Sequence, residues 1–333
     1  GVNATNQNNI KIDSNSFTGS VSNTIFAISH LGSNNATAEI RNNTISFQHT
    51  GATQAIYGIY SAAGGSGTSN TIQISNNSIS GCNYPFNSTG AFYGIYYSGG
   101  AFNFTCSGNT ITNNILGMPG SSAKGNFYAI NVQGGNTTTG STWNVDNNII
   151  TGNQRFQITT LPGSSYYINI TASGKTLSCS NNLISNNVGY VTTVDPLGSP
   201  GTTYLISLSN SATTSNVLKN TLTGNTIGDG NLYGIYRAGS GIANIGQNKL
   251  ENLKALGPSG ILYGLYLGYG SLATTYIYNN FIGDLRAPAS RYNPGLVGVY
   301  ITSVASCSLL NNTIYLDGVC SSTSAAFNVY ANS

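Results

Sequence analysis

Short runs of alternating apolar and polar residues recur along the chain, and no long run has a helical spacing. Around Asn77, for example, Ile72 and Ile74 precede a polar corner and Ile79 follows it. Alternation with a period of two is typical of half-buried β-strands, whereas an amphipathic helix needs apolar residues three and four positions apart. The chain is therefore predicted to consist of short strands.

A six-residue motif recurs between these strands. It reads apolar residue, any residue, small residue or Asn, Asn, any residue, apolar residue. It occurs ten times, and its fourth position is Asn in every copy: Asn15, Asn43, Asn77, Asn109, Asn148, Asn182, Asn225, Asn248, Asn280 and Asn312. Self-similarity at a period of roughly 20–50 residues indicates a solenoid or another repeat architecture.

A second motif lies between successive copies of the first. It reads Tyr-Gly-Ile-Tyr from Tyr57, Tyr93 and Tyr233, and Tyr-Gly-Leu-Tyr from Tyr263. Looser versions start at Phe26, Tyr128, Tyr204, Val297 and Phe327. Each repeat thus has two fixed landmarks, with loops of variable length between them.

The repeated Asn has two physical uses that both favour a parallel β-helix. Asn tolerates the left-handed backbone conformation, so Asn-Asn suits a corner between two short strands. An interior Asn can also bond its amide to the same Asn one coil above, which forms a ladder. We predict an all-β, right-handed parallel β-helix of about ten coils with an Asn ladder. At about 4.8 Å per coil it would be a rod roughly 48 Å long.

The apolar-x-Asn-Asn-x-apolar corner resembles the repeat of right-handed parallel β-helix proteins, from about residue 10 to residue 330. That group includes pectate lyases, polygalacturonases, phage tailspikes and many large bacterial surface proteins. The resemblance implies the fold but not one activity, because this fold hosts unrelated functions. The richness in Asn, Gly, Ser and Thr is most similar to bacterial surface or secreted repeat proteins.

Composition excludes several other classes. Only 6% of the 333 residues are charged, and the chain holds 46 Asn and 42 Gly. So few Glu and Lys residues argue against helical bundles and coiled coils. No apolar run is long enough to span a membrane. A net charge of +3 without a basic cluster argues against nucleic-acid binding.

The acidic residues offer the best case for an enzyme. Polysaccharide lyases and hydrolases of this fold need clustered carboxylates, which bind calcium or act as acid and base. Asp229, Glu251, Asp284 and Asp317 lie three to five residues after a repeat Asn, so they could form one column beside Lys254 and Arg286. An exposed ladder of ion pairs with little energetic weight is the favoured interpretation. We expect no catalytic residue, and a polysaccharide lyase or hydrolase is the alternative.

Histidine and cysteine give no clear site. His30 and His49 have no convincing third ligand, so we expect exposed loop residues, no metal and no cofactor. Cys106 and Cys179 replace an inward Ile two coils apart, roughly 10 Å and too far for a disulfide. They are expected to be buried free thiols. Cys307 and Cys320 belong to one coil, and whether they pair is open.

The tyrosines are the candidate binding or assembly surface. In Tyr-Gly-Ile-Tyr the third residue is expected to point inward, and strict alternation then sends the first inward and the second and fourth outward. The predicted strip comprises Tyr60, Tyr96, Tyr236, Tyr266 and Tyr300. It could stack on sugar rings, pack against another copy of the rod, or only stabilise the strands.

Isolated charges provide a test of register in the first two coils. Lys11 and Glu39 both lie four residues before their repeat Asn, and Asp13 and Arg41 both lie two before it. We expect these opposite charges to face each other on neighbouring strands.

The whole of residues 1–333 is thus predicted to be one solenoid segment of a longer or assembled protein. Neither end offers a cap, so further chain or another subunit is expected to cover both. The predicted role is a non-catalytic structural segment of a bacterial fibre or adhesin stalk, secreted or at the cell surface. Its expected partners are further copies of itself or flanking repeats, and glycans are a further option. The alternative is a carbohydrate-binding or carbohydrate-cleaving β-helix protein.

Overall fold

The structure is a computed structural model of the 333-residue chain. It describes residues 1–32, 34–51, 53–65, 67–84, 89–118, 124–157, 163–191, 201–268, 274–302, 304–316 and 319–329. These residues contain no helix and form a parallel β-solenoid of about nine turns with stacked Asn side chains. The predicted fold class is therefore confirmed, and the number of turns is close to the ten coils expected.

Each coil passes through three parallel sheets, here called A, B and C, whose strands are counted within the described residues. Sheet A has eleven strands: Val2–Thr5, Ile25–Leu31, Ile56–Ala62, Phe92–Tyr97, Phe127–Val132, Ser165–Ile170, Thr202–Leu208, Asn231–Arg237, Leu262–Leu267, Leu296–Ile301 and Ser324–Val329. Sheet B has ten: Asn9–Asp13, Thr37–Arg41, Thr71–Ser75, Asn103–Ser107, Thr142–Asp146, Thr176–Ser180, Thr214–Leu218, Ile242–Gly246, Thr274–Tyr278 and Ser306–Leu310.

Sheet C contains fifteen strands because several coils bend in the middle of this side. Its strands are Ser16–Val21, Thr44–His49, Ser78–Ser80, Asn83–Tyr84, Thr110–Thr112, Ile115–Leu116, Ile149–Thr151, Gln154–Gln157, Leu183–Ser185, Val188–Val191, Thr221–Thr223, Thr226–Ile227, Lys249–Ala255, Phe281–Arg286 and Thr313–Tyr315. Gly135–Asn136 and Ser173–Gly174 pair as a small fourth sheet.

The register is kept from coil to coil, so identical positions stack in columns. Ile40, Ile74 and Cys106 are successive neighbours in sheet B, and all are fully buried. The buried apolar side chains form one continuous core cluster that reaches from Ile12 to Ile301. The core is therefore a set of parallel stacks along the rod rather than a globular interior.

The register predicted for the first two coils is confirmed. Lys11 lies opposite Glu39, and Asp13 lies opposite Arg41. Arg41 forms an ion pair with Asp13 at 3.1 Å, whereas Lys11 turns to Asp13 rather than to Glu39. These charges are at the surface and contribute little to stability.

Candidate functional site

The corner between sheets B and C carries the main asparagine ladder. In the coil of Asn109, both the backbone N–H and the side-chain Nδ2 donate to Oδ1 of Asn148, each at 3.0 Å. Nδ2 also donates to the carbonyl oxygen of Ile74 in the preceding coil, at 2.9 Å. Asn109 and Asn148 are fully buried. Each amide thus satisfies groups of three successive coils, where an unpaired buried amide would be costly.

The same geometry repeats along the rod. The ladder consists of Asn15, Asn43, Asn77, Asn109, Asn148, Asn182, Asn220, Asn248, Asn280 and Asn312. Nine of these are the residues chosen from the sequence.

The prediction that Asn225 belongs to this ladder is wrong. Asn182 donates to Asn220, and Asn220 donates to Asn248, so Asn220 occupies the place predicted for Asn225. The segment Val217–Leu222 has Lys219 at the third position of the motif, where a small residue or Asn is expected, whereas Leu222–Ile227 has Gly224 there. The motif therefore favours Asn225, although Asn220 is the residue that continues the ladder.

Asn225 instead is the last member of a second, shorter Asn ladder, which the sequence analysis did not predict. Asn114, Asn153, Asn187 and Asn225 follow the main-ladder residues by five positions and bond to one another in the same way. Cys82 precedes this ladder and donates its backbone N–H to Asn114 at 2.9 Å. Leu253 is its apolar successor and is fully buried. An Asn five residues after the main-ladder Asn in four successive coils is the sequence pattern that could have predicted this second ladder.

A left-handed residue stands directly before every Asn of the main ladder. These residues have φ between 54° and 65°: Ser14, Asn42, Asn76, Gly108, Asn147, Asn181, Lys219, Gln247, Asn279 and Asn311. Six of them are Asn, which adopts this conformation at low cost. The first residue of the Asn-Asn pair therefore turns the corner, and the second forms the ladder.

The five predicted tyrosines of sheet A do face outward. Tyr60, Tyr96, Tyr236, Tyr266 and Tyr300 are half-buried. They form two groups, because Asn131, Asn169 and Ser207 occupy the aligned positions between Tyr96 and Tyr236. Ring centroids lie 5.3 Å apart for Tyr60 and Tyr96, and 5.2 Å apart for Tyr236 and Tyr266.

The predicted orientation of the first two residues of Tyr-Gly-Ile-Tyr is wrong. Tyr57 lies on the outer face, whereas Gly58 and Ile59 are both buried. A Cβ on Gly58 would meet the carbonyl oxygen of Gly94 and the side chain of Ile79, so this position points into the core. Two consecutive residues thus face the core, and the same holds in coils without a glycine here, such as Ala129 with Ile130. Strict alternation fails at that point, and the predicted outward orientation of Gly58 is wrong.

Because the first residue of the Tyr-Gly-Ile-Tyr motif points outward, the aromatic rings at this position form an unbroken stack, which the sequence analysis did not predict. Its rings are Phe26, Tyr57, Tyr93, Tyr128, Tyr166, Tyr204, Tyr233 and Tyr263. Successive centroids are 4.6–4.9 Å apart, with interplanar angles of 2–13°. We call these eight residues the tyrosine stack. Because each ring covers its neighbour's face, inner members have no free face for a ligand.

Burial changes the ionisation of the tyrosines. It raises the pKa of Tyr93, Tyr204, Tyr233 and Tyr263 well above the ordinary value, and neighbouring phenols add to the effect. The pKa of Tyr96 and Tyr266 is also raised, again mainly by burial. These six phenols therefore stay protonated over the physiological pH range.

Among the described residues, the predicted column of carboxylates does not form, because Glu251 lies opposite Gly283 rather than Asp284. With Asn220 in the ladder, Asp229 falls further along its coil, where it accepts a hydrogen bond from the backbone N–H of Ser259. Glu251 pairs with Lys249, and Asp284 pairs with Arg286. Asp317 lies outside the described residues. Within the described ranges, no three His, Cys, Asp or Glu side chains are grouped as metal ligands.

The prediction that both histidines lie in exposed loops is wrong. His30 and His49 lie in strands and are fully buried. His30 stacks in the inward column of Ser61 and Tyr97, and burial lowers its pKa. Nδ1 of His49 accepts a hydrogen bond from the backbone N–H of Gly51 at 3.0 Å, and Nε2 donates to the carbonyl oxygen of Asn23 at 3.1 Å. Both therefore serve packing.

All five cysteines are free thiols. Cys106 and Cys179 are fully buried on either side of Val145, as expected for inward positions two coils apart. Burial raises the pKa of Cys82 to about 11, which makes it a poor nucleophile.

Comparison with known proteins adds no relative. No family model, no curated protein and no solved structure matches the chain. In the parts of the chain that are described, no helix is both long and apolar enough to cross a membrane.

Proposed function

We propose that this chain is a non-catalytic structural segment of a fibre or adhesin stalk, secreted or displayed on a bacterial cell surface. The observation that carries the proposal is the main Asn ladder, which links ten successive coils by amide hydrogen bonds that are buried in all but the first and last pair. Such a rod is stabilised coil by coil, without dependence on charge or on a bound cofactor.

The outer face of sheet A supports a mechanical role. The tyrosine stack runs over eight successive coils, and each ring packs on the next. Offset-stacked aromatic pairs contribute about 0.5–1.5 kcal/mol each. Flanking repeats or further copies of the chain are the partners that this proposal requires.

The proposal is tested by location and by activity together. Antibodies against residues 1–333 should label intact cells that produce the protein, without permeabilisation. The purified chain should release no product from acidic or neutral polysaccharides, with or without calcium. Labelling only after permeabilisation would contradict the surface role, and product release would favour a lyase or hydrolase.

Glycan binding is the second candidate, and the outer tyrosines favour it. Tyr236, Tyr266 and Tyr300 form the longer of the two outward groups, and aromatic rings can pack on sugar rings. A glycan array tests this function. Binding that Tyr266→Ser abolishes and that Tyr276→Ser retains would support it, because Tyr276 is exposed on sheet B. Binding unaffected by both changes would exclude this tyrosine group.

A further inference from the structure

The buried side-chain polar atoms that lack hydrogen-bond partners are concentrated at one corner of the rod. Five such atoms occur among the described residues, and four of them belong to Asn210, Arg237 and Thr275. These three residues lie at the corner between sheets A and B, in three successive coils. Buried polar groups without partners are rare in folded proteins, so this grouping indicates a missing partner.

Arg237 places a positive charge in an apolar column of sheet A. It lies opposite Leu208 in the preceding coil and Leu267 in the next, and both leucines are fully buried. Arg237 itself is 2% exposed. Its Nη2 donates to the carbonyl oxygen of Ser240 at 2.8 Å, whereas Nε and Nη1 have no acceptor. A buried charge is costly unless an opposite charge compensates it.

No carboxylate among the described residues compensates this charge. Asp229 and Glu251, the acidic residues nearest to Arg237 along the chain, bond to the backbone N–H of Ser259 and to Lys249. Burial lowers the pKa of Arg237 to about 10, and no acidic neighbour opposes this effect. The guanidinium group therefore stays charged at neutral pH and lacks a counterion from the chain.

The amide of Asn210 supplies a further free donor. Its Oδ1 accepts hydrogen bonds from the backbone N–H of Ala212 at 3.3 Å and from Oγ of Ser215 at 3.1 Å. These bonds fix the orientation of the amide, and its buried Nδ2 has no partner. A Cβ on Gly239 would meet both the carbonyl oxygen of Asn210 and Nη1 of Arg237. Asn210 and the tip of Arg237 therefore lie against the same glycine.

Small side chains leave space beside Arg237. The inward columns of sheets A and B are neighbours at this corner, because the rings of Tyr97 and Phe104 lie 4.1 Å apart in an earlier coil. Arg237 continues the column of Tyr97. The column of Phe104 continues with Ser215 and Ala243 at this level. A methyl group thus replaces an aromatic ring next to the guanidinium group.

We propose that this corner binds a small monovalent anion, such as chloride, between the guanidinium group of Arg237 and the amide of Asn210. Guanidinium N–H groups and an amide Nδ2 donate hydrogen bonds and cannot accept them, so the missing partner is an acceptor. A water molecule can accept but leaves the charge uncompensated, whereas an anion does both. Because the two residues belong to successive coils, the anion joins these coils. The inference goes beyond the rod role and does not depend on where the rod is displayed.

Melting temperatures at constant ionic strength test the site. A ligand that binds only the folded chain raises stability as its concentration rises. The parent should melt about 2–4 °C higher in sodium chloride than in sodium gluconate, whose anion is too large for a buried site. Arg237→Met keeps a long side chain but removes the charge, so it should abolish this difference. Arg286→Met is the matched control and should retain it, because Arg286 is exposed and pairs with Asp284.

Crystals of the parent grown in sodium bromide locate the anion directly. Anomalous density beside Arg237 in the parent, absent from Arg237→Met, would support the proposal. Only a water molecule at this position in the parent would overturn it. An equal chloride effect in the parent and in Arg237→Met would indicate a general salt effect and overturn it too, as would a parent that melts alike in both salts. The proposed role as a non-catalytic rod segment would stand after any of these failures.

Discussion

Single amides at the corners of the coil decide how firmly neighbouring coils are joined. Asn148 accepts both donors of Asn109 and donates to Asn182 and to the carbonyl oxygen of Cys106. Removal of its side chain leaves the buried backbone N–H of Asn109 without its acceptor. It also takes one donor each from Oδ1 of Asn182 and from the carbonyl oxygen of Cys106, and such losses are costly. Buried amides would destabilise the core if they were unpaired, and their hydrogen bonds in the ladder make them stabilising instead.

We expect Asn148→Ala to lower the free energy of unfolding by about 1–3 kcal/mol, because it leaves buried amide partners unpaired. Urea unfolding at neutral pH measures this change. Asn144→Ala is the matched control, since Asn144 lies in the same coil, in the strand Thr142–Asp146, and is only half-buried. Equal midpoints for the two variants would show that the ladder contributes nothing specific.

Some residues were predicted wrongly because their orientation depends on which residues of the neighbouring coils they align with, and not on residue type. His30 looks like a surface residue in isolation, yet its column contains Ser61 and Tyr97 and faces inward. Asn225 satisfies the motif but lies five residues beyond the ladder position, which Asn220 occupies. Only the alignment of each coil with its neighbours resolves such cases, and loops of variable length obscure that alignment in a single sequence.

Among the structural elements, the strands of sheet A combine the core with an aromatic exterior. The fold itself was predictable because the corner motif recurs in every coil. The orientation of Tyr57 was not, because Gly58 and Ile59 both face the core, which interrupts the alternation on which the prediction depended. Stacks of identical side chains at the strand spacing are a direct result of parallel pairing in register.

Tyr93→Ala should lower the free energy of unfolding by about 1–3 kcal/mol, since Tyr93 stacks on both Tyr57 and Tyr128 and each pair contributes about 0.5–1.5 kcal/mol. Urea unfolding provides the measurement. Tyr276→Ala serves as the control, because Tyr276 is 42% exposed on sheet B. A loss no larger than in the control would indicate that the stack is a by-product of register.

At the scale of the whole molecule, the buried phenols predict how stability depends on pH. The folded-state pKa of Tyr93, Tyr204, Tyr233 and Tyr263 lies above the ordinary value. The unfolded chain therefore loses phenolic protons first, near pH 10. Stability from these groups is fully present below that pH and is lost as the pH rises towards the folded-state values.

Melting temperatures should thus stay nearly constant from neutral pH to about pH 9 and fall steeply above about pH 10. Phenolate absorbance recorded during unfolding identifies the groups responsible. Phenolate that appears fully before unfolding begins would show that the tyrosines are not protected by the fold.

The central claim is that the Asn ladder holds the coils together, and amide hydrogen exchange tests it most directly. Groups that open only on global unfolding exchange slowest. In the parent, the backbone N–H groups of Asn77, Asn109, Asn148 and Asn182 should be among the slowest. Asn148→Ala should lose protection chiefly at Asn109, whose N–H donates to Asn148. Fast exchange at these positions in the parent, or unchanged protection of Asn109 in the variant, would contradict the account.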